Sequence, residues 1–273
     1  MKELLIRSAT GLVYGLLLIG SLLIHPFAFL GVYLLITILC TDEFLKVSRY
    51  EGAAPLRFPA LIIVALAFII NFLRHYGSLS DRALLLIPVL IICLFIIELI
   101  RREQKPFLNL AMTLLALIYA SIPLILFSEL VYSPYTTGYS FQLPVFLLMV
   151  IWLNDTGAYL VGRVLGRHKL FERISPKKTW EGLIGGFIIA FIITAVFGTL
   201  YTEIPRPDQW IITGIIVVFG TIGDLVESLW KRSLGIKDSG KALPGHGGWL
   251  DRLDSIIFAT PAVVITVNII NSI

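Results

Sequence analysis

The densest set of residues that could do chemistry lies in residues 223–254, GDLVESLWKRSLGIKDSGKALPGHGGWLDRLD. Asp224, Ser228 and Lys231 recur at i, i+4 and i+7, so a helix would carry them on one face. Carboxylate oxygens are the ligands that Mg²⁺ prefers, while lysine and arginine neutralise phosphate oxygens. This polar stripe ends in Lys231 and Arg232, and it predicts a site for a phosphate-bearing ligand.

A glycine-rich loop, residues 238–249, follows the stripe. Its adjacent Gly247 and Gly248 would let backbone N–H groups approach an anion closely, as in phosphate-binding nests. A transferred phosphate is already ionised near pH 7. We therefore expect His246 to act as a hydrogen-bond donor in this loop and not as a general base.

Two further carboxylates come directly after the loop. Asp251 and Asp254 are spaced at i, i+3, with Arg252 between them. Several carboxylates at helix ends, together with several cations, are what a Mg²⁺–triphosphate site needs, and they could stabilise an in-line displacement on phosphorus. The structural alternative is a set of salt bridges that tie helix ends together.

A second polar region, WLNDTGAYLVGRVLGRHKLFERISPKKTWEGLIGG, covers residues 152–186. Asp155, Tyr159 and Gly162 would share one face of a helix. An ionised carboxylate is costly inside a membrane, so we expect a cation or a water-filled cavity beside Asp155. The alternative is a simple ion pair between Asp155 and Arg163 or another neighbouring residue.

A basic stretch follows, and such stretches beside a membrane usually bind anionic headgroups. Ser175 and Pro176 fit the N-cap and the first position of a helix, which would direct free N–H groups towards an anion. The basic side chains are those of Arg163, Arg167, His168, Lys169, Arg173, Lys177 and Lys178.

Apolar runs, which would position these side chains, occupy most of the 273 residues. The chain is 57% hydrophobic and only 15% charged, with a mean hydropathy of +0.89. Soluble domains carry about a quarter charged residues. The first run lacks a small-x-small cleavage site, so we expect a retained span and not a cleaved signal peptide. The runs lie at about 9–25, 27–40, 59–72, 83–97, 107–127, 141–153, 183–200, 210–222 and 256–270.

The charge distribution supports nine spans. With a cytoplasmic N-terminus, all 22 Lys and Arg residues except Arg74, Arg82 and Arg206 fall on the cytoplasmic side, as the positive-inside rule requires. We therefore predict an all-α polytopic membrane protein of about nine transmembrane helices, with the N-terminus cytoplasmic and the C-terminus opposite. The net charge of +4 follows from this rule and gives no argument for nucleic acid. We predict about five spans in residues 1–140, and the remaining spans with the active site in residues 141–273.

The stretch from Ser228 to Asp254 resembles the signature of the phosphatidate cytidylyltransferases, also called CDP-diacylglycerol synthases. NDTGAYLVGR and ISPKKTWEG resemble upstream segments of that family, whereas the first 140 residues match only in hydropathy. Trp230 and Trp249 stand where the pattern prefers an aliphatic residue or Phe, which bears on packing. The matching positions are Ser228, Lys231, Arg232, Lys237, Asp238, Gly240, Leu243, Pro244, His246, Gly247, Gly248, Asp251, Arg252 and Asp254.

The resemblance implies that the phosphate of phosphatidic acid attacks the α-phosphate of CTP, giving CDP-diacylglycerol and pyrophosphate. It implies Mg²⁺ as cofactor, and leaves open whether a second metal or a monovalent cation joins it. Asp224 and Asp251 are the first predicted metal ligands, and Asp254 and Asp155 the second. The predicted catalytic residues are Asp224, Asp251 and Lys231. The predicted phosphate-binding residues are Arg232, Lys237, Lys177, Lys178, Ser228, His246, Gly247, Gly248 and Arg252.

The resemblance also implies a setting. We expect an integral protein of the bacterial inner (cell) membrane whose active site faces the cytoplasm, where CTP and membrane lipid can meet. The site would be a funnel open to the cytoplasm and laterally to lipid. A homodimer is implied by the family and by nothing in the residues themselves.

Three other functions stay open on the sequence. A CTP-dependent polyprenol or lipid kinase would also bring a nucleotide and Mg²⁺ to a lipid. A cation-coupled transporter would use Asp155 and Asp224 as a cation pathway, although no inverted repeat is apparent. A noncatalytic scaffold for anionic lipid would survive the loss of Asp224 and Asp251.

Overall fold

A computed structural model gives the fold of residues 2–243, 245 and 247–272, with side chains for all of these except residues 2–9, 50 and 51. Over this part of the chain, ten α-helices and one two-stranded hairpin follow one another. They are α1 (Lys2–Ile24), α2 (Pro26–Val47), α3 (Arg57–His75), α4 (Leu86–Arg101), α5 (Pro106–Ala116), α6 (Ile122–Val131), α7 (Gln142–Leu165), β1 (Lys169–Phe171), β2 (Ser175–Thr179), α8 (Trp180–Phe197), α9 (Arg206–Ser233) and α10 (Leu250–Ile270). Short 3₁₀ turns occupy Ser48–Glu51, Asp81–Leu85 and Gly198–Leu200, and a π-helical turn at Leu117–Ser121 joins α5 to α6.

Helices that could cross a membrane dominate this architecture. Eight helical segments, counted over the described residues, are long and apolar enough to span, with α4 taken from Asp81 and with α5 and α6 taken together as Pro106–Val131. Thr10–Ile24 of α1 is a shorter apolar helix. Helices suit lipid because each backbone N–H and C=O bonds within its own segment. The predicted all-α polytopic membrane protein is therefore confirmed. The count of nine spans and the sides on which the termini lie stay predictions.

The chain divides into two compact units. The first unit comprises Met1–Ser128 with Asp238–Arg252, and the second comprises Glu129–Lys237 with Leu253–Ile273. The glycine-rich loop thus belongs to the unit built from the N-terminal helices. The predicted boundary at residue 140 divides the sequence into two consecutive parts, and it stays a prediction.

Within the first unit, α2 is fixed on its neighbours by both polar and aromatic contacts. The hydroxyl oxygens of Thr41 and Ser121 lie 2.8 Å apart, and the rings of Phe44 and Tyr119 have centroids 5.6 Å apart. Ser121 and Tyr119 belong to the π-helical turn, a geometry that often occurs at functional sites. Fully buried aromatic rings fill the core around α2 and α3, namely Phe29, Phe44, Phe68, Phe72 and Phe127.

Within the second unit, α7 and α8 pack at close range because glycines face the partner helix. A Cβ on Gly186 would lie 2.7 Å from the carbonyl oxygen of Asn154, and one on Gly157 would lie 2.8 Å from Ile189. The Cα of Gly182 is only 3.3 Å from where a Cβ of Gly162 would be. Small residues at such contacts let membrane helices approach closely, which is how this pair gains packing inside lipid.

The start of α8 differs from the sequence-based expectation. Ser175 and Pro176 do not begin a helix; they lie in β2, which pairs antiparallel with β1. Thr179 is the N-cap instead, and its hydroxyl accepts the N–H of Gly182 at 3.1 Å. The expectation was wrong because a Ser-Pro pair is compatible with extended backbone as well as with the start of a helix. Here the pair is extended, and Thr179 supplies the capping side chain of α8.

Candidate active site

A cavity of about 440 Å³ in the second unit gathers many of the predicted site residues. It lies among α7, the hairpin, the first turn of α8 and α9. Asp155, Tyr159 and Gly162 all line it, which confirms that these positions share one face of α7 beside a cavity. The other lining residues are Asn154, Ala158, Arg163, Leu170, Lys177, Lys178, Thr179, Gly182, Leu183, Thr221 and Asp224.

Asp224 of α9 is one of the two carboxylates that line this cavity. It forms an ion pair with Lys178 of β2, and both side chains are about 30% exposed (31% and 29%). The hydroxyl of Ser228, one turn later on α9, donates to its Oδ1 at 3.3 Å. The hairpin thus carries a cation from the basic stretch to the carboxylate, a contact 46 residues apart in sequence that periodicity alone does not reveal.

Asp155 is exposed on the cavity side of α7. The amide Nδ2 of Asn154 donates to its Oδ1 at 3.3 Å. The Asn154 Oδ1 is itself buried without a hydrogen-bond partner, and it faces Gly186 at the packed contact with α8. Arg163, the alternative partner considered for Asp155, donates to the hydroxyl of Tyr159 at 3.5 Å.

Asp254 of α10 approaches the same group of charges. Gly223 makes the approach possible, because a Cβ there would lie 2.3 Å from the Asp254 carbonyl oxygen. The half-buried Asp254 carboxylate interacts electrostatically with Asp224, Asp155 and Lys231. Carboxylates collected in a poorly hydrated place repel one another, so a cation among them is favoured.

Lys231 forms an ion pair with Glu227, one turn earlier on α9. The Lys231 Nζ lies 2.8 Å from Glu227 Oε2, and the two side chains are only 12% and 0% exposed. A fully buried carboxylate costs several kcal/mol unless a cation compensates it. Lys231 is therefore held in the interior of the second unit, at a fixed point near Asp254.

The remaining predicted cations of the second unit are exposed. Lys177 lines the cavity from β2. Arg232 donates to the carbonyl oxygens of Ile174 at 3.4 Å and Ile236 at 3.2 Å, so it ties the end of α9 to the hairpin. Lys237 is exposed at the end of the Glu129–Lys237 segment.

The hairpin is fixed at the start of α8 by Glu181. This carboxylate accepts the backbone N–H groups of Arg167 at 3.0 Å and His168 at 3.2 Å, and it lies 2.5 Å from His168 Nδ1. His168 and Arg167 of the basic stretch thus serve to place the hairpin, while Lys177 and Lys178 carry its charge to the cavity.

In the first unit, the carboxylate of Asp251 organises the glycine-rich loop. Its Oδ2 accepts the N–H of Ser239 at 3.0 Å and that of Gly248 at 2.8 Å. Gly247 adopts φ +87°, and a Cβ there would lie 2.6 Å from the same oxygen. The sequence predicted that the glycines approach an anion, and the anion they meet is a side chain of the chain itself.

Two other predicted phosphate-binding residues lie in or just after this loop. Arg252 is exposed on the first turn of α10, and its carbonyl oxygen accepts the hydroxyl of Tyr14 at 3.5 Å. His246 lies outside the described residues. The predicted roles of Arg252, His246, Gly247 and Gly248 towards a phosphate stay predictions.

Glu43 of α2 also contacts the glycine-rich loop, although no sequence motif singled it out. Its side chain is buried, and its carboxylate accepts hydrogen bonds from the Ser239 hydroxyl and from the N–H groups of Trp249 at 2.9 Å and Leu250 at 3.2 Å. One signal could have found it, since Asp42 and Glu43 interrupt an apolar helix, and carboxylates inside a membrane span are functional candidates by default.

The donor set fits Mg²⁺ in part. Asp155, Asp224 and Asp254 offer hard oxygen ligands, and Asp254 interacts electrostatically with both of the others. Over the residues that the structure describes, however, no three His, Cys, Asp or Glu side chains converge as a preformed metal site. Mg²⁺ commonly binds through one or two carboxylates and completes its shell with substrate phosphates and water, so these residues fit such a site.

The fold and this cavity define a helical membrane protein with charged groups arranged for a phosphate-bearing ligand. Among known proteins, the cytidylyltransferase family matches residues 5–270. A phosphatidate cytidylyltransferase of Staphylococcus haemolyticus is 36% identical over 251 residues, 90% of each chain. Those of Staphylococcus saprophyticus and Staphylococcus aureus are 35% identical over 250 residues (90% of each chain) and 36% identical over 210 residues (74% of this chain and 76% of theirs). The chain belongs to the phosphatidate cytidylyltransferase family, as the resemblance of its C-terminal half predicted.

Proposed function

We propose that this protein transfers the cytidylyl group of CTP to phosphatidate, giving CDP-diacylglycerol and pyrophosphate. The observation that carries the proposal is the cavity of the second unit, where Asp155, Asp224 and two hairpin lysines face one space in a chain of this family. Such a pairing of carboxylates with cations suits a ligand that brings both phosphates and a divalent cation.

The reaction needs one bond made and one broken. A lipid phosphate oxygen attacks the α-phosphorus of CTP, the new P–O–P bond forms, and the bond from that phosphorus to the β-phosphate bridging oxygen breaks. Pyrophosphate leaves with the electron pair. The attacking phosphate is ionised near pH 7, so no side chain has to remove its proton.

The ion pair between Lys178 and Asp224 can be replaced by separate contacts of each side chain with the substrate and a metal ion. Their ion pair is partly exposed to the cavity, so an incoming phosphate can take Lys178 and leave the Asp224 carboxylate for a metal ion. Lys177 and Arg163 line the same cavity and add positive charge towards the phosphates. Lys231, held by Glu227, supplies a fixed cation, and Arg232 and Lys237 add exposed cations at the end of α9.

Asp224, with Asp254 and Asp155, would hold Mg²⁺ in the second unit. That Asp251 ranks with Asp224 as a first metal ligand is implied by the resemblance and stays a prediction. When bound, Mg²⁺ neutralises phosphate oxygens and the charge that develops on the leaving pyrophosphate. The lysine and arginine side chains of the cavity would hold the lipid phosphate and orient it for attack on the α-phosphorus.

The setting proposed for this reaction is the bacterial cell membrane. An integral membrane protein whose cavity is lined by lysine and arginine side chains can admit a lipid headgroup from the bilayer and CTP from the cytoplasm. We place the active site on the cytoplasmic side because the basic residues collect there under the positive-inside rule. A homodimer, as implied by the family, is part of the same proposal.

The experiment is a transfer assay with the purified protein, phosphatidic acid, Mg²⁺ and CTP labelled at either the α- or the γ-phosphorus. A polyprenol is offered in parallel. Label from the α-position in lipid, with pyrophosphate released, is the expected result. Label from the γ-position would identify a lipid kinase and overturn the proposal. No label in lipid, with solute uptake into sealed vesicles, would identify a transporter.

A further inference from the structure

We propose that Glu43 is a positioning residue that holds the glycine-rich loop and the first turn of α10 in their working geometry. The inference rests on the proposed function, since that loop carries predicted substrate-binding residues. Glu43 lies in α2, 196 residues before the loop residue Ser239 that donates its hydroxyl to it. Only 8% of its surface is exposed, so these hydrogen bonds form out of water.

The contacts show that Glu43 caps α10 from another helix. The N–H of Leu250, the first residue of α10, and that of the preceding Trp249 both point at its carboxylate, at 3.2 and 2.9 Å. The first N–H groups of a helix have no partner within the helix, and a negative charge there is favourable. Glu43 therefore fixes the backbone one residue before Asp251.

A second carboxylate closes the loop from the other direction. Ser239 donates its hydroxyl to Glu43 and its N–H to Asp251. Gly248 donates its N–H to the same Asp251 oxygen, at 2.8 Å. Ser239 therefore couples the two carboxylates, and a displacement of Glu43 would be transmitted to Asp251, a predicted metal ligand.

The glycines of the loop are explained by the space that Glu43 needs. A Cβ on Gly248 would lie 1.8 Å from Glu43 Oε1, and one on Gly240 would lie 2.7 Å from Glu43 Oε2. Two backbone segments thus enclose the carboxylate on both sides. Because a side chain at either position would occupy the place of Glu43, these glycines serve its close contact with the loop.

The neighbouring Asp42 makes a different set of contacts and offers a matched control. It pairs with Lys46 at 2.6 Å and with Arg57. Like Glu43, it is a buried carboxylate of α2. The helix itself is held by the Thr41–Ser121 contact, so the two acids are presented by one rigid segment.

The test compares Glu43→Gln with Asp42→Asn in the full-length protein in detergent micelles. The glutamine keeps the length of the side chain but places an NH₂ group against backbone N–H donors, which leaves buried groups unsatisfied. We expect kcat to fall about 100-fold with little change in the KM for phosphatidate, because a displacement of about 1 Å can cost that much. Asp42→Asn should stay within about threefold, and Glu43→Asp should recover part of the loss.

A second readout does not depend on activity. Lys241 is an exposed residue of the loop, so its cleavage by trypsin reports loop opening. Glu43→Gln should raise that cleavage rate about tenfold, as the loss of one or two hydrogen bonds predicts, while Asp42→Asn leaves it unchanged. Should the wild type fail to transfer cytidylyl groups, the cleavage rates would still decide the role of Glu43.

The inference is overturned if Glu43→Gln keeps wild-type kcat and wild-type protection at Lys241. It is also overturned if Asp42→Asn loses activity and loop protection to the same extent, because both acids would then act only through general stability. Thermal unfolding of both variants is measured alongside, so that rates are compared at equal folded fraction.

Discussion

Carboxylates have opposite surroundings in two regions of this molecule. In the second unit, Asp224 and Asp155 face a cavity, and Asp224 is paired with a lysine that is itself partly exposed. In the first unit, Glu43 and Asp251 are enclosed by backbone N–H groups of the glycine-rich loop. A carboxylate with an exchangeable partner can take part in ligand binding, whereas the Glu43 carboxylate, which accepts several hydrogen bonds from the loop and the start of α10, is proposed to position the chain.

The largest effect is expected at Asp224. Asp224→Asn removes the charge that faces the cavity, so turnover should fall about 10³-fold or more, as the loss of a main electrostatic stabiliser predicts. The helical fold in detergent should remain, since the amide can still accept from Ser228. Initial rates of label transfer check this. Asp81→Asn, on an exposed acid paired with Arg74, is the control. Full activity in Asp224→Asn would remove this residue from the site.

Lys231 combines a proposed phosphate contact with a structural pair. Lys231→Ala should slow turnover or raise the CTP requirement, about 30- to 100-fold, as the loss of a charged hydrogen bond predicts. It also leaves the fully buried Glu227 uncompensated, at a cost of about 3–5 kcal/mol in the free energy of unfolding.

The double variant Lys231→Met with Glu227→Gln separates these two effects. Removing both charges should restore most of the unfolding free energy and leave turnover low. Recovery of turnover together with stability would show that Lys231 serves only to neutralise Glu227. Chemical denaturation and steady-state kinetics on the same samples provide the comparison.

Gly248 tests the enclosed region. Gly248→Ala places a methyl group where the Glu43 carboxylate lies, so the loop should open and turnover should fall about tenfold to 100-fold. Gly31→Ala is the control, because open space surrounds that helical position. Tryptic cleavage at Lys241 should rise in the first variant and not in the second. Equal protection in both would contradict the tight contact between Gly248 and Glu43.

The smallest effect is expected at Lys177. This exposed lysine lines the cavity, and solvent screens its charge. Lys177→Ala should raise the KM for phosphatidate about threefold at low salt, in line with a contribution below about 1 kcal/mol, and less at high salt. Arg82→Ala, another exposed cation, should change nothing. A KM shift independent of salt would argue against an electrostatic role.

Local sequence patterns predicted which residues share a helix face, but they could not predict contacts between residues far apart in the sequence. The face shared by Asp155, Tyr159 and Gly162 depends only on helical periodicity, and the cavity confirms it. The predicted start of α8 was wrong because Ser175 and Pro176 are compatible with both a helix start and a strand. Pairing with β1 selects the strand.

The roles of Lys178 and Glu43 depend on partners far away in sequence. Lys178 meets Asp224 through the hairpin, and Glu43 meets Trp249 across 206 residues. No periodicity encodes such a contact. A buried acid in an apolar helix indicates that a partner exists, without indicating which.

The most direct test of the central claim is the stoichiometry of one reaction, followed by ³¹P NMR on the purified protein with CTP, phosphatidate and Mg²⁺. Cytidylyl transfer predicts that pyrophosphate and CDP-diacylglycerol appear one for one while CTP and phosphatidate disappear, and that Asp224→Asn shows neither product. The appearance of CDP in place of pyrophosphate, or undiminished product formation by Asp224→Asn, would contradict the account.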